Sequence, residues 1–222
     1  MAKRKIYAIL GLVVFGSTLS KDLSNYNQEV IAIDKDMSAV ERVSEYVENT
    51  ICLDFTDPDE LRSSGVGDAD VAIVATGSLL EESVLGILNL KELGVPKIIA
   101  KAKNSRFSQV FKKIGADVVV SPEKEIARRF AKQLVSGDIL ELFDLDEAHS
   151  IFDMNVKKEW IGNTLIELQL RARFNLNVIG VRRDGNLNLN PDPNDPFKPG
   201  DQCLMIGDNQ IFKKIDEIDE VK

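Results

Sequence analysis

The chain opens with short apolar runs that alternate with amphipathic segments. The runs predict six strands, at residues 6–10, 30–33, 51–53, 71–75, 98–102 and 118–120. Between them, apolar residues recur three or four positions apart, which predicts helices. The second helix is expected to begin with Ser38 as its N-cap. Strands that alternate with helices in this way are typical of a parallel sheet covered on both faces. The pattern therefore predicts an α/β fold, a Rossmann-like doubly wound parallel sheet.

The pattern changes after residue 136. Beyond it we expect strands at residues 139–143, 151–156, 178–181 and 202–206, helices at 164–170 and from 210, and a proline-rich loop at 190–200. We predict a first domain over residues 1–136 and a small α+β domain over residues 137–222. The first domain ends with a crossover helix whose apolar stripe of Ile126, Phe130 and Leu134 is expected to pack on another subunit. The second domain is small for a stable core, so it is expected to pair with its copy.

A turn that contains two glycines joins the first predicted strand to the first helix. It reads Gly11-Leu-Val-Val-Phe-Gly16, and the second strand ends on Asp34, eighteen positions after Gly16. An acid roughly 20 residues after such a turn is typical of a carboxylate that binds the ribose hydroxyls of a nucleotide. Val13 replaces the middle glycine, whose missing side chain would let the backbone approach a pyrophosphate. The sequence predicts a nucleotide site, or a sheet of the same shape in which Val13 weakens or abolishes binding.

Polar residues follow several other predicted strands, at the edge where such sheets bind ligands. We expect Asp54 and Phe55 to lie along the edge and the face of an adenine, and Lys101 to meet a phosphate. The structural alternatives are helix capping by Asp54 and a solvated Lys101. The candidate cofactor-binding residues are Gly11, Val13, Val14, Phe15, Gly16, Asp34, Lys35, Asp54, Phe55, Thr76, Gly77, Lys101, Asn104 and Glu123.

Composition narrows the function. The formal charge of −8 comes without the basic patch that nucleic-acid binding requires, so we expect no nucleic-acid partner. Two cysteines far apart in sequence and one histidine predict neither a disulfide framework nor a zinc site, which fits a reducing cytosol. No run approaches the roughly 18 apolar residues of a membrane span, so a membrane role is expected to act through a partner.

The predicted strand ends carry no group suited to hydride transfer or hydrolysis, since no histidine, cysteine or tyrosine is expected there. We therefore expect a nucleotide sensor and not an enzyme. Two alternatives stay open. One is a small nucleotide-dependent oxidoreductase, which needs a second pocket with a proton donor. The other is a scaffold that has lost its nucleotide and responds through its second domain alone.

Several motifs, in their order and spacing, resemble one family over nearly the whole chain. They are residues 11–17 with Asp34, residues 100–104, residues 114–117 leading into 121–124, and then 170–174, 177–179, Pro191, Pro193 and 200–201. The chain resembles the cytosolic gating subunits of bacterial Ktr/Trk-type potassium uptake systems. Those subunits are built from an N-terminal and a C-terminal RCK domain, named as regulators of K⁺ conductance.

The resemblance implies a cytoplasmic protein, peripheral at the inner face of the cell membrane. In this family homodimers form a ring, commonly an octamer, beneath a membrane potassium-translocating subunit. ATP, ADP or NAD(H) in the first domain changes the shape of that ring and so controls the pore. The matching loop in relatives reads Gly-Leu-Gly-Arg-Phe-Gly, and its arginine meets the terminal phosphate of ATP. Val14 stands in that position here.

The resemblance also implies two further ligands. Glu123 matches a glutamate near the dimer interface, where a divalent cation such as Mg²⁺ or Ca²⁺ is shared. Its structural alternative is an acid favoured by the dipole of a helix first turn. In some relatives the second domain binds cyclic di-AMP at its dimer interface, where an arginine suits a doubly anionic ligand. The matching residues are Leu165, Arg171, Asn177, Val178 and Pro193.

Overall fold

The computed structural model of the protein describes residues 4–76, 79–135, 139–146 and 148–208. The chain divides into two compact units, Met1–Glu123 and Lys124–Lys222. The division expected at residue 136 stays a prediction. Two further predictions, Gly77 as a ligand residue and a last helix from residue 210, lie outside the described residues.

Among the described residues of the first unit, strands and α-helices alternate. In chain order they are β1 (Ile6–Leu10), α1 (Val14–Asn25), β2 (Glu29–Asp34), α2 (Met37–Ser44), β3 (Asn49–Cys52), α3 (Pro58–Ser63), β4 (Val71–Val74), α4 (Leu80–Glu92), β5 (Ile98–Lys101), α5 (Ser105–Ile114) and β6 (Val118–Val120). Neighbouring strands pair in parallel, in the order β3-β2-β1-β4-β5-β6. This confirms the predicted doubly wound sheet, whose winding reverses between β1 and β4.

The centre of this sheet is apolar on both faces. Ala8 and Leu10 of β1 belong to one buried cluster and Ile9 to another, because successive side chains of a strand point to opposite faces. Ile87 of α4 packs in the first cluster and Val40 of α2 in the second. A sheet covered on both faces leaves the carboxyl ends of its strands as the place for polar chemistry.

Polar side chains fix where several helices begin. The N-cap of α2 is Asp36, whose carboxylate accepts the N–H of Ser38 at 3.0 Å. The prediction of Ser38 as this cap was wrong. Asp57 caps α3, and Pro58 occupies the start of that helix, where its missing N–H costs nothing.

From Pro122 onward, the described residues form a helix and then a small α+β unit. Its elements are α6 (Pro122–Val135), β7 (Ile139–Asp144), β8 (His149–Asn155), α7 (Leu165–Leu168), α8 (Leu170–Phe174), β9 (Asn177–Arg183), β10 (Asn186–Asn188) and β11 (Gln202–Asp208). The strands pair antiparallel in the order β10-β9-β11-β8-β7. Trp160, Phe152 and Met205 are fully buried in the core of this unit. The predicted α+β class is confirmed.

Two local features of the second unit differ from the prediction. The single helix expected at residues 164–170 is divided into α7 and α8, because Gln169 between them adopts a left-handed conformation with φ of 48°. The strand β10 was not predicted, since its three residues are exposed. Across the helices of the described ranges, none is both long and apolar enough to traverse a bilayer.

Candidate functional site

The turn between β1 and α1 is held in shape by the acid at the tip of β2. Gly11 has a φ of 97°, and its N–H donates to the carbonyl of Ile33 at 2.8 Å. The N–H of Leu12 donates to Oδ2 of Asp34 at 2.6 Å, and that of Asp36 donates to Oδ1 at 2.9 Å. A carboxylate oxygen has more than one acceptor site, so both oxygens of Asp34 can also accept hydroxyl groups of a sugar.

The same turn brings α1 against β1 and β4. A Cβ on Gly16 would stand 1.9 Å from the carbonyl oxygen of Gly11, so only glycine fits there. A Cβ on Gly11 would stand 2.9 Å from the backbone nitrogen of Thr76, which is itself buried. The structure therefore brings together three of the candidate residues, Gly11, Gly16 and Thr76, because their backbones pack closely.

The N-terminus of α1 faces outward without a capping side chain. Its N-cap is Val13, whose side chain accepts no hydrogen bond from the first N–H groups, and the first turn holds no acid. Val13 and Val14 are 67 % and 79 % exposed. The first N–H groups of a helix lack intrahelical partners and carry the positive end of the helix dipole. Such a terminus suits an anion.

Lys101 at the end of β5 joins this turn to the start of α6. Its Nζ lies 5.6 Å from the centre of the Phe15 ring and 2.5 Å from Oε1 of Glu123. The hydrogen bond from Lys101 holds the pKa of the Glu123 carboxyl below its usual range, so this carboxyl is ionised at neutral pH. Lys101 is thus an ion-paired residue and not the solvated lysine of the structural alternative.

A second ion pair lies at the other end of the candidate site. Nζ of Lys35, directly after β2, is 2.5 Å from Oε1 of Glu82 in the first turn of α4. This pair raises the pKa of Lys35. Sequence reasoning missed Glu82, because the two residues are far apart in the chain and no local pattern links them.

Other candidate residues serve local structure. Oδ1 of Asp54 accepts the N–H and the hydroxyl of Thr56, which lowers the pKa of Asp54 and forms a turn before α3. Phe55 is 5 % exposed and packs in the core against Gly86, so stacking on an adenine would require its ring to leave the core. Asn104 caps α5 through the N–H of Phe107.

A cysteine does lie at a strand end. β3 ends at Cys52, which pairs in register with Asp34, is exposed, and has its Sγ 3.5 Å from the carbonyl of Lys35. The sequence-based expectation that strand ends lack cysteine was wrong, because β3 ends earlier than predicted. Within the described ranges, no group of three or more histidine, cysteine, aspartate or glutamate side chains is placed to hold a metal ion.

The candidate cyclic di-AMP residues lie on four segments of the second unit: α7, α8, β9 and the loop that holds Pro193. Leu165 begins α7, and the N–H of the next residue donates to the carbonyl of Pro193 at 3.4 Å. Arg171 is exposed on α8, and Asn177 and Val178 begin β9, the strand that follows α8. The structure brings Leu165 and Pro193 together.

Sequence reasoning missed an ionic network around Arg183 of β9. Its Nε and Nη2 donate to the two oxygens of Asp201 at 2.8 and 2.6 Å, and Nη1 donates to Asp195 at 2.7 Å. Nη2 also donates to the carbonyl of Pro196 at 3.1 Å. This guanidinium fixes the proline-rich loop beside a cavity of about 330 Å³ whose lining includes Leu165.

Comparison with known proteins identifies the family. The TrkA-N domain model matches residues 7–122, and the TrkA-C domain model matches residues 151–218. The chain belongs to the TrkA family. It is 34 % identical over 204 residues to the Ktr system potassium uptake protein C of Bacillus subtilis (strain 168), which covers 92 % of each chain. It is 30 % identical to the Ktr system potassium uptake protein A of the same organism, with 96 % of each chain covered. The resemblance to Ktr/Trk-type proteins is confirmed.

Solved RCK structures share the fold of this TrkA family member. The GsuK RCK domain matches with a TM-score of 0.65 at 20 % identity, which covers 98 % of this chain and 48 % of that chain. A GsuK channel bound to NAD matches with a TM-score of 0.63 at 18 % identity, which covers 98 % and 40 %. This chain spans less than half the length of those chains, and the likeness shows the fold.

Proposed function

We propose that this protein is the regulatory subunit of a bacterial potassium uptake system and controls a membrane potassium-translocating subunit. The observation that carries the proposal is the match to the Ktr system potassium uptake protein C across 92 % of both chains. In this proposal the protein is cytoplasmic, lies at the inner face of the membrane through its partner, and is not an enzyme. Nothing in the described site favours the oxidoreductase alternative.

The input is a nucleotide bound at the turn between β1 and α1. Three features support this site: the oriented carboxylate of Asp34 for a ribose, the uncapped N-terminus of α1 for a phosphate, and Lys101 beside them. ATP, ADP and NAD(H) are the candidates to test. A phosphate that attracts Lys101 weakens its ion pair with Glu123, the last residue of the first unit.

The output is a change in a ring of subunits. The α6 residues Ile126, Phe130 and Leu134 are spaced four apart and are exposed, which supports packing on a second copy and a homodimer as the building block of an octameric ring. A nucleotide that binds one ring shape more tightly than another shifts the population toward that shape.

Two further ligands are proposed, a divalent cation and cyclic di-AMP, and the residues available for them support the two to different degrees. Glu123 is one carboxylate already paired with Lys101, so Mg²⁺ or Ca²⁺ there requires oxygen ligands from the nucleotide or a second copy. Cyclic di-AMP is supported by an exposed arginine, Arg171, on a unit expected to pair across a two-fold axis. Cyclic di-AMP would also be the regulatory ligand in the alternative in which the first unit no longer binds nucleotide.

The test is potassium flux through vesicles that contain a Ktr-type translocating subunit, with this protein added outside. We expect flux to depend on added nucleotide, and Asp34→Ala to abolish that dependence by removing the ribose acceptor. Asp59→Ala, an exposed acid of the same unit, is the control and should behave as the wild type. A potassium flux that changes neither with added protein nor with added nucleotide would refute the proposal.

A further inference from the structure

The candidate nucleotide site keeps some parts of its fingerprint and lacks others. Gly11, Gly16 and Asp34 retain the turn, the close helix approach and the sugar acceptor. The uncapped first turn of α1 retains donors for one phosphate. These parts recognise a ribose and the phosphate attached to it.

The missing part is the one that receives a pyrophosphate. The middle glycine of the fingerprint lets a pyrophosphate approach the backbone, and Val13 occupies that position. Its side chain is 67 % exposed, so it stands on the solvent side from which a ligand arrives and is not withdrawn into the core. The isopropyl group therefore occupies space that a second phosphate would need.

The charged side chains at this edge of the sheet also disfavour a second phosphate. The two lysines, Lys35 and Lys101, are each paired with a carboxylate at 2.5 Å. Asp34 and Asp54 add two further acids, and hydrogen bonds lower the pKa of Asp54 so that it stays ionised. Lys101 can turn to the first phosphate, as proposed above, while Lys35 stays paired with Glu82, so an additional phosphate adds negative charge beside the carboxylates of Asp34 and Asp54.

We propose that the site takes a ribonucleoside with at most one phosphate, such as AMP, and discriminates against di- and triphosphates and pyrophosphate-linked dinucleotides. This inference rests on the proposed nucleotide site and puts a monophosphate in place of ATP, ADP and NAD(H) as its preferred ligand. Val13 is the specificity-determining residue, because it blocks the second phosphate without touching the sugar acceptor.

The test is isothermal titration calorimetry of the whole chain with adenosine, AMP, ADP, ATP and NAD⁺. We expect the wild type to bind AMP at least as tightly as ATP. Val13→Gly should tighten ADP and ATP by about tenfold or more and change AMP by less than about threefold. Glycine is tolerated at an N-cap, so this variant is expected to fold. Tyr26→Ala, a change at an exposed residue at the opposite end of α1, should leave the ratio of AMP to ATP affinity unchanged.

The outcomes separate this inference from the proposed function. If the wild type binds ATP about tenfold more tightly than AMP, or Val13→Gly leaves the ratio unchanged, the specificity role is overturned while nucleotide sensing stands. If no compound of the series binds the wild type, both the nucleotide site and its narrowed ligand class are overturned. Asp34→Asn should lose binding of every compound alike, which marks the site as the one described.

Discussion

The ionic network around Arg183 makes a quantitative prediction for Asp201→Asn. Asp201 is 2 % exposed, and its carboxylate accepts two N–H groups of Arg183 and the backbone N–H of Lys198 at 2.8 Å. Asparagine keeps one acceptor oxygen and replaces the other with an NH₂ donor. In one orientation that donor faces Nε of Arg183, and in the other it faces both Nη2 of Arg183 and the N–H of Lys198, so the variant leaves donors without acceptors.

The magnitude follows from the hydrogen bonds that the substitution removes. A hydrogen bond to a charged group contributes roughly 1.5–3 kcal/mol, and a buried donor left unsatisfied costs about 1–3 kcal/mol. Arg183 is partly exposed and water can solvate some of its N–H groups, so we expect a loss of about 2–4 kcal/mol in the free energy of unfolding of the second unit. With a urea slope of about 1–2 kcal/mol/M, the midpoint should fall by roughly 2 M.

The assay uses the protein's single tryptophan. Trp160 is 0 % exposed in the core of the second unit, so its fluorescence in urea reports the unfolding of that unit. The matched control is Asp195→Asn, which makes the same chemical change on a second partner of Arg183. The Asp195 side chain is 48 % exposed, so this variant should lose less than about 1 kcal/mol. Equal losses for the two variants would refute the assignment of the stability to burial of Asp201.

Three further measurements test other parts of the structure. Arg183 holds the pKa of Asp201 below its ordinary value of 3.8, so this contribution is complete above that pH and is lost as pH falls through the lower folded value; the stability difference between wild type and Asp201→Asn should shrink in that range. Burial raises the pKa of Cys203 to about 12 while Cys52 is exposed, so a thiol reagent should label one cysteine in the native chain and both after unfolding, and two fast thiols would contradict the burial. Gly16→Ala forces its Cβ against the carbonyl of Gly11 and should destabilise the first unit by about 1–3 kcal/mol or more in thermal unfolding, whereas an unchanged melting temperature would contradict this packing.

The sequence predicted the sheet well because strand and helix patterns are local. The strands Ile6–Leu10 and Val118–Val120 lie where the apolar pattern placed them. The helix expected at residues 164–170 is divided because Gln169 adopts a left-handed conformation, which composition does not reveal. Asp36 replaces Ser38 as a cap because both are good capping residues two positions apart, and only the backbone decides between them.

The candidate site was predictable only where residues share a turn. Gly11, Gly16 and Asp34 follow a known spacing, and the structure brings them together. The partners of Lys35 and Lys101 come from distant elements, so the ion pairs with Glu82 and Glu123 appear only in three dimensions. The Arg183 network has the same origin, since its aspartates follow a long loop.

Because the amide of Leu12 already donates to Asp34, the turn is ordered before a ligand reaches it, and this affects the rate of ligand association. Ordering a flexible backbone costs about 1–2 kcal/mol per residue, and here that cost is met while the chain folds. A ribose that reaches the end of β2 therefore meets a preformed binding site. The rate of its association should be set by diffusion and local charge, and not by a rearrangement of the turn.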